Sequence, residues 1–315
     1  MNDPRGHHTV PQLHLRRFAN DRDQVRVVDR NDMARTFLAS VENVTVERDF
    51  YAVETESGEL SQEVERLLAR LESDAAGAIE RVVGGAFPAN EEDRGHISVF
   101  IAAQWLRGWD MREALRIPMA HSAQMIVMNT TKASLREFFR ETEGRDAPDE
   151  ELEDLVAFAR DPSRYRIEVH PNQIIRQMLN VIPGLANLAF ARKWQLLHAR
   201  DGSFLTSDAP VSTWTHPNNY HPFYSAGGFG MSDELALPLD RRFALVLAHD
   251  PPSGEVLREV SGRHVREQNL RTAASGRRYI IHHPDDEPLL GLEIPPSRPK
   301  MSVSQPPWRM VPEDE

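Results

Sequence analysis

The chain has 315 residues, 40% of them hydrophobic, a formal net charge of −11 and no cysteine. That length supports a sizeable core, as one large domain or two intimate ones. The missing thiols exclude a disulfide framework, a thiolate zinc site and a cysteine nucleophile, and the acidic balance disfavours general nucleic-acid coating, which rests on Lys and Arg replacing counterions at phosphates.

No run reaches the ~18 apolar residues of a membrane span. The polar start Met1-Asn2-Asp3-Pro4-Arg5 lacks the apolar core of a signal peptide. The expectation is a soluble cytoplasmic protein with no membrane partner.

The first eighteen residues set a His pair, a Pro, apolar anchors and an Arg pair close together: His7, His8, Pro11, Leu13, Leu15, Arg16, Arg17 and Phe18. Such spacing suits a built-in segment better than a loose leader. Val25, Val27 and Val28 then form a β-rich run, Asn31-Asp32 a turn, and Thr36 to Leu38 its return. Short strands are expected at Asn43 to Val46 and Asp49 to Val53. After the Ser57-Gly58 turn, Leu60, Val64, Leu67, Leu68, Leu71, Ala75, Ala78, Ile79 and Val82 recur at the helical period and predict a helix of about 24 residues, ended by Gly84-Gly85.

Acidic Glu91 to Asp93 suit the N-terminus of a second helix, which carries Ile97, Phe100, Ile101, Trp105 and Met111. Trp105 and Trp109 sit at core spacing. Helical character is expected to run on past Pro118 to Phe138-Phe139. Another short helix spans Glu150 to Arg160, and a further one follows His170-Pro171 until Pro183-Gly184 kinks or stops it.

Strands dominate the remainder. Lys193 to His198 alternates, Asp201-Gly202 reads as a hairpin turn, and Phe204 to Ser207 as the returning strand. The long loop from His216 to Gly230 holds Tyr220, Phe223 and Tyr224 and reads as a mobile lid. Leu235 to Leu239 and Phe243 to Ala248 form a strand pair, Ser261 to Ala274 a helix and Tyr279 to Ile281 a last strand. This order predicts an α+β fold: one large domain over 1–292, β-rich over 1–56, helical over 57–192 and β-rich, mainly antiparallel, over 193–292. The Pro-rich tail 293–315 is expected to be irregular.

Two charge runs stand out. Glu141 to Asp154 holds eight acidic residues against Arg145 alone, and Arg258 to Arg278 holds six Arg against Glu259 and Glu267. Solvated faces are the ordinary reading of both. A docking surface on the first and a nucleic-acid contact on the second are the functional alternatives.

Five residues are candidates for chemistry. Glu72 flanks the apolar stripe of its helix, where a carboxylate needs a cation, a donor or its own proton. Gln104 follows Ile101 by three positions on an apolar helix, and Arg107 lies one turn further along the same face. Asp208 ends the strand Thr206-Ser207-Asp208 at the Ala209-Pro210 turn, a common place to present a reactive group and also an ordinary capping position. His8 has docking residues around it and the best claim among the histidines. His216 and His221 flank a loop at a spacing that suits a metal, without any strong zinc motif, and His282-His283 is expected at the surface. No phosphate-binding loop, dinucleotide fingerprint or nucleophile elbow occurs.

With these residues in view, the chain resembles the bacterial and fungal family catalogued as domain of unknown function 4238. The similarity rests on His8-Thr9-Val10-Pro11 running to Leu15-Arg16-Arg17-Phe18, on Glu42-Asn43 with Phe50-Tyr51, and on Leu71-Glu72-Ser73-Asp74. It continues in Gln104-Trp105-Leu106-Arg107, Thr206-Ser207-Asp208-Ala209-Pro210-Val211, Leu237-Pro238-Leu239-Asp240 and Asn269. The resemblance covers about residues 7–283, supports the choice of residues, and implies no activity.

The five residues admit three uses. As a hydrolase acting on a phosphodiester or nucleotide, His8 would be the acid or base, Glu72 and Asp208 bases or ligands of a divalent metal, and Gln104 and Arg107 would orient an anion. As a binding or regulatory module, the same residues would hold a small polar or anionic ligand under the 216–230 loop. As architecture, they would form a buried network that fixes packing.

Overall fold

The computed structural model describes residues 6–48, 53–54, 60–61, 63–219, 228–251 and 253–297. The expected features at Phe50-Tyr51, Ser57-Gly58, the centre of the long loop with His221, and the tail from 298 lie outside the described residues, as does the side chain of Trp109. The fold is α+β. Short N-terminal strands come first, then a helical middle, then a strand-rich C-terminal part.

The N-terminal segment enters as β1 (Gly6–His8), a single helical turn α1 (Gln12–Leu15) and a 3-10 turn at Arg16–Phe18. β2 (Gln24–Asp29) and β3 (Asp32–Ser40) form the expected hairpin. Residues 43–45 turn rather than extend, and β4 (Val46–Arg48) pairs with β1. The short β5 (Val53–Glu54) and β6 (Leu60–Ser61) pair with each other.

α2 (Glu63–Val83) follows the predicted stripe from Val64 on, with Leu68, Ala75, Ala78, Ile79 and Val82 buried, whereas Leu60 lies in the preceding strand and Leu67 is exposed. It packs along α3 (Glu91–Arg107). Asn90 caps α3 by accepting the Asp93 amide at 2.8 Å, and buried Asp93 takes the Arg81 guanidinium from the end of α2. The junction of the two helices is thus closed by a cap and an ion pair.

α4 (Trp109–Met128) carries Pro118 within it. Helix does not continue to Phe138-Phe139 as expected. It breaks at Asn129–Thr131, where Thr131 forms a capping box with Ser134 and starts α5 (Lys132–Glu143). The two short hydroxyl side chains offer the backbone partners that a continuous helix would deny them. α6 (Asp149–Arg160) follows as predicted.

α7 (Pro171–Ala191) runs through Pro183, the continuing alternative of the two expected there. It is the one helix among the described residues long and apolar enough to cross a membrane by length and composition. Its buried residues Ile174, Ile175, Met178, Ile182, Ala186 and Ala189 fall at the spacing of a helix with one face packed on protein.

The C-terminal strands are β7 (Lys193–Ala199), β8 (Thr206–Ser207), β9 (Ser212–Trp214), β10 (Glu234–Pro238), β11 (Phe243–Ala248), β12 (Val256–Val260) and β13 (Tyr279–His282), with α8 (Gly262–Ser275) before the last. The hairpin expected at Asp201-Gly202 does not form between β7 and β8. β7 pairs with β11 and, in parallel, with β12, in a five-stranded sheet of order β12-β7-β11-β10-β9. β8 instead joins the four-stranded sheet β3-β2-β13-β8. The 199–206 connection therefore carries the chain from one sheet to the other.

Asn269 on α8 fastens that connection. Its carboxamide accepts the Leu205 amide at 3.1 Å and donates to the Ser203 carbonyl at 2.9 Å, inside the protein. A second buried clamp is Arg192, whose guanidinium donates to the Phe229 and Ser232 carbonyls at 3.0 and 2.8 Å and so holds the end of the long loop. Phe229 is buried there with its ring 5.8 Å from that of Trp105.

The chain divides into two compact units. One comprises 1–111 with 178–315 and contains every strand among the described residues. The other, 112–177, is helical, with a small core of Phe139, Ala147 and Leu152. In this second unit the acidic run does not stand as an unneutralised face. Asp146 and Glu151 pair with Arg140 and Arg145 at 2.9 and 2.8 Å, and Asp149 and Glu153 meet Arg136 and Lys132.

Candidate functional site

The five candidate residues fall in two places within the strand-rich unit. Glu72 on α2 and Arg107 at the end of α3 form an ion pair at 2.5 Å, their side chains 19% and 4% exposed. His8 ends β1, half-buried, with Nε2 3.1 Å from the Glu42 carbonyl oxygen. Burial lowers the His8 pKa against the opposing pull of the Glu42 and Val41 carbonyls and the charges of Glu72 and Glu65, so the imidazole is neutral at pH 7.

Gln104 and Asp208 belong elsewhere. Both line a cavity of about 360 Å³, whose walls do not include His8, Glu72 or Arg107. Four segments build it: Thr9, Asn43, Thr45 and Glu47 from the N-terminal turns and β4; Gln104, Trp105 and Asp110 from α3 and the start of α4; Asp208, Ala209 and Val211 from the turn after β8; and Arg277, Arg278 and Tyr279 from the approach to β13 and its first residue.

Asp208 organises one wall. Its Oδ1 accepts the Arg277 amide and its Oδ2 the Arg278 amide, both at 2.8 Å, and its own amide donates to the Tyr279 carbonyl at 3.1 Å. Burial pushes the Asp208 carboxyl above the ordinary carboxylate range, against the pull of the Arg278 and Arg277 amides. The neighbouring Gly276 is required by close approach: a Cβ there would lie 2.9 Å from Ser207 Cβ and 3.2 Å from Asp208 Oδ1. Arg30, buried at the end of β2, donates to the Ala274 carbonyl at 3.1 Å and also to that of Gly276. Replacing Asp208 with Ala takes the carboxylate from two amides, the part-buried one of Arg277 and the exposed one of Arg278, a loss of about 2 kcal/mol. Urea unfolding should show the drop, and an unchanged midpoint would remove Asp208 from this role.

The remaining charges of the cavity are spoken for or exposed. Arg277 Nη1 donates to Asp110 Oδ1 at 2.9 Å. Arg278 is exposed, with its guanidinium 4.8 Å from the centre of the Tyr279 ring. Gln104 differs from all of these. It is 2% exposed, and neither Oε1 nor Nε2 meets a hydrogen-bond partner among the described residues.

Sequence reasoning passed over His14. It is fully buried, with Nε2 3.1 Å from Thr206 Oγ1 and its ring beside Phe18 and Phe100. Burial, with the Arg17 charge adding to it, pushes its pKa down to about 3. The available signal was position: His14 lies four residues after Val10 and four before Phe18, both buried. His282 and His283, expected at the surface, are buried at 6% and 7% exposure, and the His282 ring bonds to the His283 carbonyl at 2.8 Å. Strand β13 lies between β2 and β8 within its sheet, so its end is covered rather than exposed.

Fold and site together define an α+β protein whose strand-rich unit encloses a polar cavity. The family model described as Protein of unknown function (DUF4238) matches residues 6–286, and the chain belongs to that family. No curated protein and no solved structure matches it.

Proposed function

We propose that this protein is a binding module for a small polar molecule held in the cavity between Gln104 and the 277–279 segment. The observation that carries this reading is Gln104. A buried carboxamide has two donors and an acceptor to satisfy, and natural folds rarely leave such a group without partners unless something else supplies them. Its place on the wall of a cavity of about 360 Å³ supports a ligand as that partner.

Hydrolysis of a phosphodiester or nucleotide has less support. Its proposed acid and bases already have partners: His8 the Glu42 carbonyl, Glu72 the Arg107 guanidinium, and Asp208 two backbone amides. Among the described residues, no group of three His, Asp or Glu is placed to share a metal ion.

Thermal unfolding of the full chain with nucleosides, nucleotides, amino acids and dicarboxylates tests the proposal, with NMR following each compound in the same tube. One class should raise the midpoint with the logarithm of its concentration, with about 2.7 kcal/mol gained at a hundredfold excess over Kd, and emerge unchanged. Conversion of the compound would restore the hydrolase reading, and no shift from any class would remove the cavity as a site.

A further inference from the structure

The helical unit 112–177 carries a surface that fits a second copy of this chain. We propose that the protein forms a two-fold dimer through α4, whose exposed face pairs antiparallel with the same face of its partner. This contact is independent of the cavity and of its ligand.

The sequence sets up an imbalance on α4. From Ile117 to Thr131 the chain runs fifteen residues without Asp, Glu, Lys or Arg. A helix with so little charge ordinarily buries at least one face, yet no residue from Asp110 to Met128 is buried. Pro118, His121, Ser122, Met125 and Ile126 are exposed, and Asn129 continues the row just past the helix. Their spacing of three and four places them on one face. Met125 and Ile126 are 60% and 73% exposed, large apolar groups that water covers at a cost of roughly 1.5–3 kcal/mol each relative to full burial.

Shape and charge select the partner. The exposed row is bulky at one end, where Met125 and Ile126 lie, and low at the other, where Pro118 and Ser122 lie. Reversing one copy against the other about an axis through Ser122 sets Ile126 of each copy over the Pro118–Ser122 turn of the other, so bulk meets relief twice. The short Ser122 side chain at the crossing admits two helix axes at about 8–10 Å. No like charges are brought face to face, because the row carries none, and the cations that flank it, Arg116 and Lys132, are already held by Glu113 and Glu153. A helix that lies on a lipid surface carries Lys and Arg along its polar face. This unit instead has ten Lys and Arg against twelve Asp and Glu, which favours a protein partner with an equally uncharged row.

Sedimentation equilibrium of the full chain over a concentration series tests the proposal. One helix face is a small interface, in the class of weak and reversible complexes below about 1,200 Å², so a monomer–dimer equilibrium is expected with a Kd on the order of 10–100 μM. Ile126→Glu changes an exposed position and should weaken the dimer at least about 100-fold, since each dimer would then bury two unpaired carboxylates. The chain has no cysteine of its own, so a single introduced thiol reads the geometry. Under oxidation Ser122→Cys should give a cross-linked dimer. Asn129→Cys, also exposed, should not, because antiparallel helices crossing at Ser122 hold the two copies of residue 129 roughly 20 Å apart, beyond the about 7 Å between Cα atoms that a disulfide can span.

A chain that stays monomeric throughout would overturn the proposal, as would an Ile126→Glu variant that dimerises like the wild type. Cross-linking of both cysteine variants, or of Asn129→Cys alone, would overturn the antiparallel pairing. Co-sedimentation with phosphatidylcholine and phosphatidylglycerol vesicles, lost in Ile126→Glu and without self-association, would assign the row to a lipid surface and overturn the dimer.

Discussion

Replacing Glu72 with Ala should destabilise the protein by about 3 kcal/mol or more, the cost of leaving a buried cation without its carboxylate. The Arg107 side chain is 4% exposed, and Glu72 meets its Nη2 at 2.5 Å from the neighbouring helix. Water cannot take over the lost partner at such a position, so the penalty is the desolvation of the guanidinium itself. The informative comparison is the double variant Glu72→Leu with Arg107→Met. It removes both charges of the pair, so it should recover most of the loss. Urea unfolding of the wild type, both single variants and the double variant gives the coupling directly. Additive losses would mean that the two side chains serve α2 and α3 independently.

Acid should unfold the protein early, and His14 should carry much of the effect. Its pKa is about 3 in the folded state against 6.5 for an ordinary imidazole. A depressed folded pKa means that the unfolded chain takes up a proton which the native state refuses. The stabilisation is therefore complete above pH 6.5 and drains away as the pH falls from there towards 3. The slope approaches about 1.4 kcal/mol per pH unit for this one group. Burial lowers the pKa of His8 and of His282 in the same direction, which steepens the fall. His14→Gln can still reach Thr206 and does not titrate. It should cost stability at pH 7 and show a slope shallower by one proton between pH 6 and 4.5. Equal slopes in the two proteins would show that His14 is not a buried neutral group.

Residues whose environment is set by near neighbours were legible in the sequence. The stripe on α2 and the Ile97, Phe100 and Ile101 face of α3 identified Glu72, Gln104 and Arg107 as polar groups on apolar helix faces, because helical period alone fixes which side a residue takes. The β2–β3 and β10–β11 pairs were legible for the same reason, each closed by a local turn. What failed was pairing at long range. Asp201-Gly202 carries a hairpin signal, yet β8 finds its partner in β13, more than seventy residues later. The burial of His282 follows from that pairing and could not be read without it.

Grouping was the other loss. Asp208 was recognised as a strand-end carboxylate, but its partners are amides of the 277–278 segment. Nothing near Asp208 in the chain announces them. Likewise Gln104 and Arg107 sit one turn apart on α3, and only the packing of α2 sends one to Glu72 and leaves the other at the cavity.

Whether Gln104 serves a ligand or the fold is measured most directly by the thermal unfolding midpoint of Gln104→Met. The thioether keeps the length of the side chain and removes a polar group that has no hydrogen-bond partner among the described residues. Such a replacement is neutral or stabilising where the group does no structural work. With a ligand as the partner of Gln104, the midpoint stays level or rises, by roughly 2–4 °C per kcal/mol gained. A fall of several degrees would contradict the binding role, because the carboxamide would then belong to the protein's own hydrogen bonding.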